Sequence, residues 1–393
     1  MMKRHMLAAA ALLIITATAL LGGCTGENSR SGIEVIDLYR YKDGGALTDA
    51  MLDSLATETR VIGLMAEGDL TIPANPVRIK FAGDITGTDC PARNTGEGTT
   101  EGTTEGITEG RIYVLDNPGI RTFQMLTFDS DGKLIKKIGG PGRGPGEYFV
   151  LTDFAVAPDG SLWINDAGMD NMLHYSSSLE YIDTYPMPYD IDNMEFLENG
   201  EVLINVSQWD STQIEIAVTD TMFRHNGRRE LLRYSHSPRA VYVYAFGDGS
   251  LIRTQDGYLH CHPIDPDIYL IDDGTGEILR HYRVDFGPDA LTHNDISSLG
   301  DNDERYIEIL CSSSYLYKIF TVTDRYILGQ AMRKGEYPYF LADLDTETVY
   351  WSNSDSSEEG MSGILDYRDG WLISTFLPDE PDAHYRLILR KFQ

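Results

Sequence analysis

The densest cluster of chemistry-bearing side chains is His260-Cys261-His262, followed by Asp265 and Asp267. Two histidines at i and i+2 of a strand lie on one face, so this pair could bind a metal or pair with an acid. Pro263 and Pro266 abut the cluster, which equally suits an exposed loop. His260, His262 and Asp265 are therefore the expected ligand-binding residues. A hard cation would draw on other groups. Calcium takes about six to eight oxygens, and Asp116, Asp166, Asn205 and Asn353 stand at comparable ends of β-rich segments. Supplied by different segments, they could ring one ion, although Asp and Asn at strand ends also cap turns. Asp129-Ser-Asp-Gly132 begins like a calcium loop, but loop position twelve is Gly140 where an EF-hand needs Glu, so that reading fails. Zinc-like Cys/His spacing and the Gly-x-Ser-x-Gly hydrolase elbow are both absent. The Gly/Pro-rich run from Gly139 to Gly146 lacks the Gly-Lys-Ser/Thr ending of a phosphate loop, and Pro141 and Pro145 remove donors. It reads as a rigid crossover braced by Glu147 and Tyr148. Trp163 and Trp351 could stack on sugar rings or peptides, while rings within repeat strands more often fill the core. No cofactor is expected, with calcium as the alternative.

The chain that must position these groups has 393 residues, with 32 Lys or Arg against 61 Asp or Glu, a formal charge of −29. Such a chain repels phosphate backbones, so nucleic acid is excluded as a partner. Lys3 and Arg4 precede an apolar run from Met6 to Leu21, and Leu21-Gly22-Gly23-Cys24 follows. A basic start, a short apolar core and small residues before a cleavage point read as a secretory signal over 1–23. The apolar run is too short for a comfortable membrane span. The Cys after two glycines resembles the lipobox of bacterial lipoproteins, in which the thiol takes a diacylglyceryl group. That resemblance implies a chain held to the bilayer through Cys24, with 24–32 as a flexible tether. Cys90, Cys261 and Cys311 remain, too few and too oddly numbered for a disulfide framework.

From residue 33 onward the pattern is that of one β-rich domain. Leu47, Met51, Leu52 and Leu55 mark a short amphipathic helix. Thr95 to Gly110 repeats Glu-Gly-Thr-Thr and has too few apolar groups to offset its ordering entropy, so a disordered insert is expected there. After it, turns bearing Asp-Gly or Asn-Gly precede short β-formers again and again, as in Pro158-Asp-Gly-Ser-Leu-Trp-Ile-Asn-Asp166 and Glu198-Asn-Gly-Glu-Val-Leu-Ile-Asn205. Positions 112, 162, 202 and 251 head comparable strands, spaced 50, 40 and 49. Asp-Gly and Asn-Gly are hairpin signals because Gly tolerates positive φ. Repetition on this scale predicts an all-β fold: a six-bladed β-propeller of four-stranded antiparallel blades with a short N-terminal helix. The expected units are roughly 77–150, 151–188, 189–236, 237–288, 300–350 and 351–393, and Asp289 to Ile309 reads as helical. A strand near 33–38 or 59–65 is expected to complete the last blade and close the ring.

On the lipobox Cys24, the stretch Phe128 to Gly139, Gly140-Pro-Gly-Arg-Gly-Pro-Gly-Glu-Tyr148 and Phe154 to Asp166, the chain resembles a family of six-bladed propeller lipoproteins of Gram-negative gut bacteria, distant relatives of NHL-repeat propellers. The insert at 95–110 departs from that pattern. The resemblance implies the fold and a lipid-anchored place in the cell envelope, on the outer membrane. It carries no catalytic residues, because the family's activity is largely unassigned. The function expected is a monomeric binding or scaffolding module for a glycan, peptide or envelope protein. The alternative is a calcium-dependent hydrolase of the lactonase-like propeller kind.

Overall fold

The computed structural model describes residues 32–392 apart from 67–72, 74, 84–109, 120–121, 208–209, 225–226, 235–249, 264, 293, 296–304, 334, 353–361 and 377–384. Cys24, Cys90, Asn353, the tether as far as Ser31 and all of the insert but Gly110 therefore lie outside the described residues. Six four-stranded antiparallel sheets form the blades of a propeller. The innermost strands are Pro76–Ala82, Leu151–Val156, Ile191–Phe196, Ser250–Thr254, Tyr315–Val322 and Gly363–Arg368. Each touches the next around the ring, and the sixth touches the first. Each blade climbs outward through hairpins whose turns match the local sequence. Asp129 caps its turn by accepting from the Asp131 and Lys133 amides, with Gly132 at φ +85°. Asp159 and Asn199 do the same before Ser161 and Glu201.

The middle strands, such as Leu162–Asp166, Val202–Val206 and Ile214–Thr219, are continuous runs of buried residues because both faces of a blade are covered there by its neighbours. Tyr113, Phe154 and Ile164 pack between the first two blades, and Met194, Phe196 and Ile204 between the second and third. Leu203, Ile216 and Tyr258 fill the next gap. Between the sixth blade and the first lie Ile62, Phe81, Phe128 and Leu387. Burial of apolar area between blades, not any one sheet, holds the ring together.

The N-terminal segment resolves the two closure candidates. Glu58–Gly63 pairs antiparallel with Arg386–Lys391 and supplies the outer strand of the sixth blade. Ile33–Asp37 instead adds a fifth, parallel strand to the fourth blade, and Lys42–Ala46 does the same for the fifth. Between them and the closing strand stands the expected helix, Asp49–Leu55, capped by Thr48, whose hydroxyl accepts from the Met51 amide. Buried Arg390 binds Asp49 at 2.9 Å and Asp53 at 2.7 Å, fastening the helix to the last blade. Of the second expected helical span, a single 3₁₀ turn at Gly287–Asp289 and a helix at Arg305–Ser312 are described, both ahead of the fifth blade. The Gly/Pro run does serve as the crossover from first blade to second. Gly139 has φ +60°, and a Cβ there would meet the Gly146 carbonyl at 2.4 Å. Glu147 accepts from the Gly144 amide, and the Tyr148 carbonyl from the Gly142 amide.

Candidate ligand site in the central channel

Side chains two residues apart on a strand share a face. On three innermost strands this rule pairs charged or polar groups: Arg78 with Lys80, Asn193 with Glu195, and Asp366 with Arg368. The second member of each pair belongs to a buried ion layer. The Lys80 ammonium lies 3.1 Å from Asp153 and 3.0 Å from Glu195, and donates to the carbonyls of Phe154 and Met194. It thereby ties three blades together. Asp153 also accepts from the Met194 amide, and Arg368 lies 3.8 Å from Glu195. Burial alone would raise the Glu195 carboxyl, but Lys80 and Arg368 outweigh it and hold it below the usual range.

The first members line a cavity of about 320 Å³ at the centre of the ring, with Lys80 at its edge. The fifth blade contributes Tyr317, Lys318, Phe320 and Gln330, the fourth contributes Ser250 and Ile252, and the sixth contributes Leu365 and Asp366. Lys318 donates to the Leu365 carbonyl at 3.1 Å and sits 5.1 Å over the Phe320 ring. Among the described residues no carboxylate lies within ion-pairing distance of it. The Lys318 side chain lines the cavity and is largely walled by protein. Burial, reinforced by the Arg78 charge, brings it down to about 8, against the pull of Asp366 and Cys261. Burial likewise pushes Asp366 up to about 6, although Lys318 and Arg368 oppose it. Its Oδ1 accepts from the Tyr367 amide. The cavity thus combines two cations, one carboxyl group poised to change protonation, and neutral hydrogen-bonding groups on an aromatic wall.

The residues expected from sequence are placed elsewhere. His260 is fully buried, with one ring nitrogen 2.8 Å from Glu215 and the other 3.0 Å from the Ser250 carbonyl. It is a link between the third and fourth blades. His262, also buried, has Nδ1 2.9 Å from the Pro263 carbonyl and meets Tyr234 edge-on. The two rings share a strand edge but are committed to separate partners, and half-buried Asp265 accepts from the Asp267 amide. Trp163 is core: it stacks on His174 at 4.0 Å and donates to Ser161. Trp351 keeps an accessible face. Arg333 lies 4.6 Å over its ring, and with Tyr39 and Tyr41 it lines a second cavity of about 230 Å³ at the N-terminal strands.

Asp116 accepts from the Asn75 amide and the Gln124 side chain, while Asp166 accepts from the amides of Phe149, Val150 and Gly168. Asn205 donates to the Glu215 carbonyl. In these contacts each group holds its own turn or strand. Among the described residues no group of three or more His, Cys, Asp or Glu side chains is placed to share a metal ion. Cys261 is buried, its thiol pushed up to about 11, and Cys311 is exposed; both are free thiols. No described helix is long and apolar enough to cross a membrane.

The channel residues Arg78, Lys80, Asp153, Glu195, Lys318 and Asp366 were missed in the sequence. Their signal was charge at alternate positions inside otherwise apolar first strands, as in Val77-Arg-Ile-Lys-Phe81 and Ile364-Leu-Asp-Tyr-Arg368. A protein from Bacteroides fragilis described as exported shares the fold, with a TM-score of 0.66 and 16% identity over 91% of this chain and 99% of that one. A member of the DUF4221 family from Bacteroides vulgatus covers 86% of this chain and 97% of its own at 10% identity and a TM-score of 0.49. No curated protein matches the sequence. At these identities the likeness is one of fold alone. Residues 103–380 match the model of a domain of unknown function, DUF4934, and the chain belongs to that family.

Proposed function

We propose that this protein is a non-catalytic binding module of the cell envelope that seats part of a glycan or peptide in its central channel. The observation that carries this reading is the cavity bounded by Arg78, Asn193, Lys318 and Asp366. Its volume falls at the lower end of ligand pockets, about 300–1,000 Å³. Its walls mix a few convergent polar groups with aromatic surface, and its titratable groups are displaced toward neutrality, as functional groups often are. Rigid blades suit such a task, because they hold side chains from several strands in fixed relation. The envelope location rests on the signal-like residues 1–23 and on the exported relative of the same fold. In this reading Cys24 carries the lipid, on the outer membrane, so cells fed labelled fatty acid should label the native chain and not Cys24→Ala. Equal labelling of the variant would refute the tether.

Thermal unfolding of the whole chain with a panel of neutral, cationic and acidic sugars and short peptides tests the binding site. A ligand at 100 times its dissociation constant adds about 2.7 kcal/mol to folded-state stability. The expected result is a raised midpoint with one class, lost in Asn193→Trp, which fills the cavity. A shift that survives a filled channel places the ligand elsewhere.

A further inference from the structure

We infer that Lys318 is a nucleophile that holds the carbonyl of a small hydroxyaldehyde, of the kind a reducing sugar presents in its open-chain form, as a reversible imine; this rests on the channel being the ligand site. Lys80 and Lys318 both border the cavity, and their bonding differs. Lys80 lies 3.1 Å from Asp153 and 3.0 Å from Glu195 and donates to the carbonyls of Phe154 and Met194, so it is a structural cation. Lys318 donates to the Leu365 carbonyl at 3.1 Å and has the Phe320 ring 5.1 Å away, with no described carboxylate in ion-pairing reach. A neutral amine keeps that bond through one hydrogen and retains its lone pair for attack. Burial and a neighbouring cation are the two devices that make a lysine nucleophilic at neutral pH. Both act on Lys318, through the protein wall and the Arg78 charge, and bring it down to about 8. About one molecule in ten then carries the neutral amine at pH 7, against about one in a few thousand for an ordinary lysine.

Imine formation also needs a proton carrier. Leu365, whose carbonyl holds the amine, directly precedes Asp366, and Asp366 lines the same cavity. The Lys318 nitrogen adds to the carbonyl carbon, and its two protons pass in turn through the Asp366 carboxylate to the carbonyl oxygen. That oxygen leaves as water as the C=N double bond forms. Nothing is oxidised or reduced, and water reverses the step, so the ligand is held and released unchanged. A carboxyl group poised at about 6 suits a relay that both takes and gives a proton near neutrality. The cavity of about 320 Å³ suits one small group at a time. Its wall mixes Ser250, Asn193 and Gln330 with Ile252, which favours a hydroxylated chain over a bare alkyl one.

Treating the whole chain with glyceraldehyde and cyanoborohydride at pH 7 turns each imine into a stable amine that peptide mass spectrometry locates. Lys318 is expected to be labelled at least about tenfold faster than exposed Lys42 and Lys133, and Lys80 not at all. The Lys318 rate should rise with pH and level off above about 8, where Arg78, Asp366 and Cys261 are the charged and titratable groups acting on it. On that plateau Asp366→Asn should slow labelling severalfold; an unchanged plateau removes Asp366 as the proton carrier. Without reductant, glyceraldehyde should raise the melting midpoint where glycerol, which lacks the carbonyl, does not. Lys318→Arg keeps a charge and a donor and should lose that rise. The site mapping uses the unaltered chain, so it decides even if a variant does not fold. Lys318 labelled no faster than Lys42 overturns the inference. The channel then stands as the ligand site if a sugar or peptide still raises the midpoint and Asn193→Trp removes that rise. Absence of both the labelling and such a rise overturns both readings.

Discussion

Lys318 and Asp366 titrate near neutrality for one reason, loss of water around a charge, and their shifts run in opposite directions because their charges do. The groups facing them are Arg78 from the first blade, Glu195 from the third, Cys261 from the fourth and Arg368 from the sixth. Asp366 bears on stability, since a carboxyl raised in the folded state favours folding while protonated, and urea unfolding from pH 4 to 8 with Asp366→Asn as the control reads this. That contribution is present below the unfolded value and is lost as pH rises toward 6 and beyond. A second prediction concerns Gly139: an alanine there must hold positive φ and press on the Gly146 carbonyl, for a loss of about 2 kcal/mol or more in urea unfolding. The candidate site was poorly legible from sequence. His260 and Trp163 stood out as rare types, but rarity says nothing about burial. Lys318 and Asp366 looked like ordinary polar alternation, because alternation marks a solvated face as readily as a channel face.

The N-terminal segment does three jobs in order around the rim, thickening the fourth blade, then the fifth, and then closing the sixth. Its composition left the closing strand open between two candidates, since both alternate; only the edge left by Arg386–Lys391 decides, and that edge is made by residues over 300 positions away. The Asp49–Leu55 helix was legible from its apolar spacing, whereas its Thr48 cap and its anchor to Arg390 were not read. Arg390→Met should destabilise the chain by about 2 kcal/mol, because two carboxylates lose a buried guanidinium. Asp53→Asn should cost less than about 1 kcal/mol, since half-exposed Asp53 is served by water. Denaturant midpoints distinguish the two. An equal loss from both would mean that the ion pair, and not burial of Arg390, sets the energy.

Across the whole molecule, the fold was the most legible feature. Asp-Gly and Asn-Gly turns are fixed by backbone sterics, so their recurrence survives in a single sequence and marks the repeated hairpins. The cavity is a product of closure: Lys80 meets Asp153 and Glu195 only because three blades converge. Adding salt should screen the self-repulsion of the −29 chain and raise the unliganded melting midpoint. A midpoint that falls with added salt would contradict this. The most direct measurement of the central claim is a crystal structure of the whole chain grown with a saturating ligand from the class that raises its melting midpoint. The account predicts ligand density in the channel, against Asn193, Lys318 and Asp366. Density in the groove of Tyr39 and Trp351, with water alone in the channel, would contradict it.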